Sequence, residues 1–189
     1  MKSVMSCRWS VRQAVKYLKQ GQIIAYPTEA VYGLGCNPLD ELAVRQLLVL
    51  KDRPWQKGVI LIAADLRQMT DYLQPLSDEW SAKIQAPQPH PTTWLVPARP
   101  SVPYWLRGNS TFLAVRITQH ALAAELCRCW GMPVVSTSAN PSGRTPARTI
   151  LKVRSYFGDQ LAYVLPGQVG SYTQPSQIRY LFTDDLVRA

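Results

Sequence analysis

Histidine is scarce in this chain: His90 and His120 are the only two among 189 residues. Its cysteines, Cys7, Cys36, Cys127 and Cys129, show no zinc-ligand spacing. Together these absences argue against a built-in metal centre. Cys127 and Cys129 stand two apart in a predicted helix and so face different ways. All four cysteines are expected to be buried and reduced. The sequence holds no G-x-x-x-x-G-K-[ST], which excludes a P-loop. No G-x-G-x-x-G opens a helix, which argues against a Rossmann dinucleotide site. No stretch approaches the ~18 uninterrupted apolar residues of a membrane span. The N-terminal MKSVMSCRWSVRQ lacks the apolar core of a signal peptide, so a cytoplasmic location with no membrane association is expected. There is no block of five like charges, no internal repeat and no linker.

Acidic residues are also in short supply. Twelve Asp and Glu face 21 Lys and Arg, giving a formal charge of +9, a balance that favours anionic partners such as nucleotide or RNA. With 47% hydrophobic and 17% charged residues, the chain reads as one folded domain over 1–189 with room for a sizeable core.

Three segments place polar residues where an apolar strand runs out: IIAYPTEAVYGLG (23–35), KDRPWQKGVILIA (51–63) and VVSTSANPSG (134–143). The carboxyl ends of strands are where open α/β folds hold ligands. The middle segment brings Lys51, Arg53 and Lys57 within seven residues, and the last offers Ser136, Thr137, Ser138 and Asn140. Cations beside neutral hydrogen-bonding groups suit a phosphate-bearing small molecule.

Around these segments, Ser10 is positioned to cap a helix carrying Val11, Ala14, Val15 and Leu18, with Gly21 as its stop. Residues 22–26 read as a buried strand that Pro27 prevents from simply continuing. Asp40 caps a second helix that delivers Lys51 at its end, and Pro54 confirms the stop. Strands are predicted at 59–63, 94–97, 112–117, 133–136, 162–165 and 177–182. Helical stretches are predicted at 66–73, 77–86, 120–130 and 149–157, and 101–110 reads as a surface loop. Strands and helices alternate irregularly, with several β-β steps, so the fold class is α/β with a mixed sheet.

Each motif carries two readings. Lys51 at a helix end is favoured by the dipole without any ligand. Arg53 before Pro54 points to phosphate, since a guanidinium on a rigid turn matches phosphate oxygens bidentately. Arg116, inside FLAVRI, is either on a solvent face by alternation or an anion holder, and periodicity does not decide. Ser138 lies in S-T-S-A-N rather than G-x-S-x-G, with no histidine near it in sequence, so a ligand-binding hydroxyl is preferred over a nucleophile. Trp94, Tyr104 and Trp105 read as core or loop anchors rather than stacking platforms for bases.

The PTEAVYGLG, KxRP and STSAN elements, in this order and at these spacings, resemble the YrdC-like family, the threonylcarbamoyl-AMP synthases of tRNA modification. The likeness spans nearly the whole chain and is strongest to the short, single-domain bacterial branch. It implies a twisted open mixed sheet with helices and a concave basic cavity. It also implies synthesis of threonylcarbamoyl-AMP from L-threonine, bicarbonate and ATP with release of pyrophosphate. By this resemblance Lys51 and Arg53 are catalytic, and Arg53, Lys57, Ser138, Asn140 and Arg188 bind ATP. Thr28, Arg116, Ser136 and Ser176 fall to the threonine. Mg2+ would arrive with ATP, and no tightly bound cofactor is expected. Implied partners are RNA or tRNA at the basic cavity and the downstream proteins that transfer the threonylcarbamoyl group to tRNA.

Three departures from the family pattern stand out. Ala30 replaces the Thr of longer relatives, QPHPTT with His90 replaces W-P-G-P-x-T, and the chain ends at Ala189, directly after Arg188. Two other classes stay open on the residues alone: an RNA-binding module without chemistry, and a carbamoyl-transfer enzyme related to hydrogenase maturation.

Overall fold

The computed structural model describes residues 7–188. The elements run α1 (Trp9–Lys19), β1 (Ile24–Pro27), β2 (Tyr32–Gly35), α2 (Glu41–Leu50), β3 (Ile60–Ala63), α3 (Asp78–Gln85), β4 (Thr92–Pro97), α4 (Tyr104–Arg107), β5 (Phe112–Ile117), α5 (Ala121–Trp130), β6 (Val134–Ser138), α6 (Ile150–Phe157), β7 (Tyr163–Val164), β8 (Gln177–Tyr180) and β9 (Leu186–Arg188). One nine-stranded sheet joins them in the order β7-β1-β2-β6-β3-β5-β4-β8-β9. It is mixed: β1–β7, β3–β5 and β4–β8 are parallel, and the other pairs are antiparallel.

The register fixes where a cavity can form. Ser136, Ile60, Ala114 and Leu95 are neighbours in one row across β6, β3, β5 and β4. Side chains alternate along a strand, so Leu61, Val115 and Val135 face the other way, into the larger core with α2 residues Val44 and Leu47. On the face carrying that row, α1 and α5 pack Val11, Ala14, Val15, Leu18, Leu122, Leu126 and Cys127 against Tyr26, Ile62 and Val134. Burying each such aliphatic contributes about 1.5–3 kcal/mol. The two helices cover one end of the face and leave the Ser136–Leu95 row open.

Several local expectations change. α1 starts one residue before Ser10, at Trp9; its N-cap is Arg8, with no side-chain cap. Asp40 caps α2 as its sequence suggests, accepting from the Ala43 N–H. The residues after Pro27 do not stay irregular but turn and return as β2. The segment 66–73 makes only a 3-10 turn, Leu66–Met69. The supposed loop 101–110 contains α4, whose Leu106 is fully buried and whose Leu106 carbonyl accepts from Val59 N–H at 2.8 Å. β9 was not foreseen.

The cysteine reading needs correction. Cys36 and Cys127 are buried thiols, but Cys7 and Cys129 form a disulfide with Cα atoms 6.3 Å apart. The cause is the packing of α1 beside α5, which brings Cys7, two residues before one helix, to the last turn of the other. Arg8 adds an ion pair to Glu125 at 3.3 Å across the same seam.

Candidate functional site

The open part of the face forms a cavity of about 470 Å³, within the usual range of small-molecule sites. All ten residues singled out from sequence line it: Thr28, Lys51, Arg53, Lys57, Arg116, Ser136, Ser138, Asn140, Ser176 and Arg188. With Arg107 they give the lining, among the described residues, six cations against one carboxylate, Asp52.

Lys51 and Arg53 enter through the end of α2. Asp52 takes a left-handed conformation, φ 50°, and the chain closes as a Schellman turn: Arg53 N–H donates to Leu48 O at 3.0 Å and Asp52 N–H to Val49 O at 3.0 Å. This turn brings Lys51 and Arg53 into the cavity on either side of the exposed Asp52. Lys51 is buried, and its Nζ donates to Ser138 O and, at 2.7 Å, to Asn140 O. It thereby ties the KxR segment to the STSAN segment 87 residues on. Burial, and then the neighbouring Arg53, push its pKa down to about 8.

Arg53 donates through Nε and Nη2 to Gly58 O, at 3.3 and 3.0 Å. Gly58 has φ 60°, and a Cβ there would lie 2.9 Å from Leu106 O, so this anchor requires glycine. The contact occupies two of the five guanidinium N–H donors and leaves three. Burial and Arg188 lower the pKa of Arg53, and burial and Arg116 lower that of Arg188. Arg188 thus stands between two like charges, Arg53 and Arg116, an arrangement that an anion relieves. Lys57 sits exposed on the rim, in the turn Trp55–Lys57.

The hydroxyl groups differ in freedom. Thr28 Oγ1 donates to Val31 O at 2.7 Å, so its proton is already engaged. Ser176 Oγ pairs with Thr93 Oγ1 at 2.9 Å, and Ser176 O accepts from Arg188 at 2.9 Å, which holds the last strand over the cavity. Asn140 Nδ2 donates to Pro141 O and Arg144 O, shaping the loop, while its buried Oδ1 has no hydrogen-bond partner. Gly33 pairs with Ser138 and keeps the floor low between Thr28 and Ser136.

Neither histidine borders the cavity. His120 caps α5, accepting from Ala123 N–H at 3.3 Å, and its Nε2 bonds Gln168 O at 2.9 Å. His90 packs against Tyr172. Ser138 therefore has no histidine base, in keeping with its reading as a ligand. Trp94 is buried in the core and Trp105 donates to Pro38 O at 3.2 Å, while Tyr104 stacks edge-on with Trp55 on a partly exposed surface. Arg116, ambiguous in sequence, is buried with its guanidinium 3.6 Å from Glu29. Sequence reading missed Glu29, Asp52, Thr93 and Arg107. Only Glu29 gave a signal, as a carboxylate inside the otherwise uncharged PTEAVYGLG.

Known proteins resemble this chain in sequence and in fold. A family model described as Telomere recombination, the Sua5/YciO/YrdC domain, matches residues 16–188. The chain is 51% identical over 184 residues to the threonylcarbamoyl-AMP synthase of Cellvibrio japonicus, covering 95% of this chain and 97% of that one. It is 51% identical over 169 residues to the enzyme of the same name from Halorhodospira halophila, covering 89% and 88%. Among solved structures, P. abyssi Sua5 complexed with L-threonine superposes with a TM-score of 0.88 at 28% identity, over 95% of this chain and 54% of that one. By its sequence and by the sheet that builds its cavity, the chain belongs to the Sua5/YciO/YrdC family.

Proposed function

We propose that this protein makes threonylcarbamoyl-AMP from L-threonine, bicarbonate or CO2, and ATP, releasing pyrophosphate and supplying the threonylcarbamoyl group for t6A in tRNA. One observation carries the reading: three segments far apart in sequence, joined by Arg107, Arg116 and Arg188 from elsewhere in the chain, bring six cations and a row of hydroxyls into a single cavity of nucleotide size. Close relatives at half identity, matched over nearly their whole length, bear the name of that activity.

The chemistry follows from the groups present. The threonine amine adds to CO2, or to bicarbonate with loss of water, and gives a carbamate. A carbamate oxygen then attacks the α-phosphorus in line as pyrophosphate leaves. No enzyme nucleophile is needed, so Ser138 serves as a hydrogen-bonding ligand. Catalysis is positioning and charge stabilisation. Arg53, with three free donors, and Lys57 hold the phosphates. Lys51 presents its charge to them while fixing the Ser138–Asn140 loop. Asn140 Oδ1, buried without a partner, accepts from the nucleoside, and Arg188 closes over the nucleotide. Arg116 holds the threonine carboxylate, with Thr28, Ser136 and Ser176 around the rest of the amino acid. Mg2+ enters as part of the substrate, on the ATP phosphates.

The reading places the enzyme in the cytoplasm as a single domain spanning 1–189, of which residues 1–6 and 189 lie outside the described structure. No helix among the described residues is long and apolar enough to cross a membrane. Transient contact with tRNA at the basic cavity, and hand-over of the adenylate to transfer proteins, complete the proposal. The test is pyrophosphate release from ATP, Mg2+ and bicarbonate with and without L-threonine. Threonine-dependent release supports the synthase, and binding of RNA without it would favour a non-catalytic module.

A further inference from the structure

Thr28 and Ala30 both line the cavity, but the side chain of Glu29 between them turns the other way. It borders a separate small pocket of about 40 Å³ with His90, Gln119 and Tyr172. Among the described residues, Arg116 alone borders both spaces. Glu29 thus lies behind Arg116 as seen from the cavity, out of reach of a ligand there.

Glu29 is held from several sides. Its Oε1 accepts from Thr118 Oγ1 at 2.7 Å and from Gln119 N–H at 3.0 Å. Thr28 O accepts from Gly170 N–H at 2.9 Å and Glu29 O from Tyr172 N–H at 3.3 Å. The backbone approaches so closely that a Cβ on Gly170 would clash with Glu29 O. Burial disfavours ionisation, but Arg116 and these hydrogen bonds outweigh it and keep the carboxyl below its usual range. A fixed negative charge therefore stands behind the guanidinium.

The pair itself is not closed. Glu29 Oε2 lies 3.6 Å from Arg116 Nη2, with both side chains under a tenth exposed. A charge-assisted hydrogen bond would close to about 2.7–2.9 Å. Glu29 Oε2 and Arg116 Nε are both buried without a hydrogen-bond partner. An ion pair serving only the fold would satisfy these atoms, since an unpaired buried charge is costly. Here the carboxylate aims the guanidinium and leaves its donors for another anion.

We infer that Glu29 is a positioning residue that orients Arg116 toward the carboxylate of the amino-acid substrate, without touching that substrate. This rests on the assignment of Arg116 to that carboxylate. Removing the Glu29 charge has two opposed effects: it strengthens the bare attraction of Arg116 for a carboxylate, and it frees the guanidinium to leave its productive orientation. The closed geometry around Glu29 makes orientation the larger.

The test is calorimetric titration of L-threonine, L-threoninamide and ATP into the wild type, Glu29→Gln and Thr118→Val. Glu29→Gln is expected to weaken L-threonine about tenfold, a size in keeping with a modest misplacement of a binding group. ATP should stay within about twofold, and the preference for threonine over its amide should shrink. A general loosening of the fold would weaken ATP as well and leave that preference intact. Thr118→Val keeps the charge pair and removes the 2.7 Å bond to Glu29, together with the 3.2 Å bond that Thr118 Oγ1 accepts from His120 N–H, so it should act in the same direction with a smaller effect even if Glu29→Gln folds poorly. Unchanged or tighter threonine binding in both variants overturns the positioning role while leaving the synthase reading intact. A wild type that binds no L-threonine overturns both.

Discussion

Replacing Lys51 by methionine should uncouple the two segments that form the phosphate end of the cavity. The side chain is nearly isosteric, so packing survives while two charge-assisted bonds to Ser138 O and Asn140 O are lost. A hydrogen bond to a charged group contributes about 1.5–3 kcal/mol. The freed carbonyls border an open cavity and can rehydrate, so the net loss is nearer ~2 kcal/mol than the sum of both bonds. For a chain of this size that lowers Tm by roughly 4–8 °C. ATP affinity should fall about 10- to 100-fold as a cation leaves the site and the loop carrying Ser138 and Asn140 loosens. The pH dependence is more specific still. With its pKa near 8 against an ordinary 10.5, Lys51 loses its charge as pH rises through about 8 in the folded protein only. Wild-type kcat/KM for ATP should therefore decline above pH 8. Stability from this group moves the opposite way: between pH 8 and 10.5 the unfolded chain holds a proton the folded chain lacks, so this contribution rises with pH. Steady-state kinetics over pH 6.5–9.5, paired with denaturant unfolding, reads both. If Lys51→Met kept the basic limb near pH 8, or cost neither stability nor ATP affinity, the assigned role would be wrong.

Arg53→Ala should weaken ATP by about 1.5–3 kcal/mol, with only partial recovery in Arg53→Lys, which lacks the planar fork; equilibrium binding of ATP measures both, and wild-type affinity in the alanine variant contradicts the assignment. Ser138→Ala should retain activity reduced about 10- to 100-fold, with no covalent adduct on intact-protein mass analysis; an adenylyl- or acyl-serine in the wild type would reverse the reading. Amino-acid-dependent pyrophosphate release should favour threonine over serine modestly, since a methyl group discriminates by only ~1–3 kcal/mol, and over valine more strongly, where hydroxyl partners go unmet. Arg116→Ala should abolish all three, and equal rates with valine and threonine would show that the hydroxyl is not read. Reducing Cys7–Cys129, which closes a span of 122 residues away from the cavity lining, should cost about 2–5 kcal/mol of unfolding free energy and leave ATP affinity unchanged. A loss of ATP affinity on reduction would tie α1 to the site.

What could be read in advance follows from how local each signal is. The cap at Asp40 and the cation at the end of α2 are set by a few neighbouring residues, so Lys51 was placed correctly from sequence. The Schellman turn at Asp52 was not foreseen, because glycine usually marks that position and aspartate does not. β2 escaped notice because two of its four residues are glycine, which strands disfavour, and β9 because it is short and exposed. Alternation fixes which residues share a face with Arg116 but not what lies on that face, so only the register with β3 and the pairing with Glu29 settle its environment. Glu29 itself is one carboxylate in an apolar motif, and its partners Thr118 and Gln119 lie some 90 residues away. The Cys7–Cys129 bond is equally non-local: it depends on α1 lying beside α5, which no spacing in the sequence encodes. The shared cavity was legible only in part: Ser136 and Ser138 end β6, but Lys51, Arg53 and Lys57 precede β3, and the segments meet because β6 runs antiparallel to both β2 and β3.

The most direct measurement of the central claim is the identity of the adenylate formed from ATP, Mg2+, L-threonine and 13C-labelled bicarbonate. The account predicts pyrophosphate together with a threonylcarbamoyl-AMP that carries the heavy carbon, seen by mass spectrometry and absent when bicarbonate or threonine is withheld. An adenylate without the label, or pyrophosphate release indifferent to threonine and bicarbonate, would contradict it.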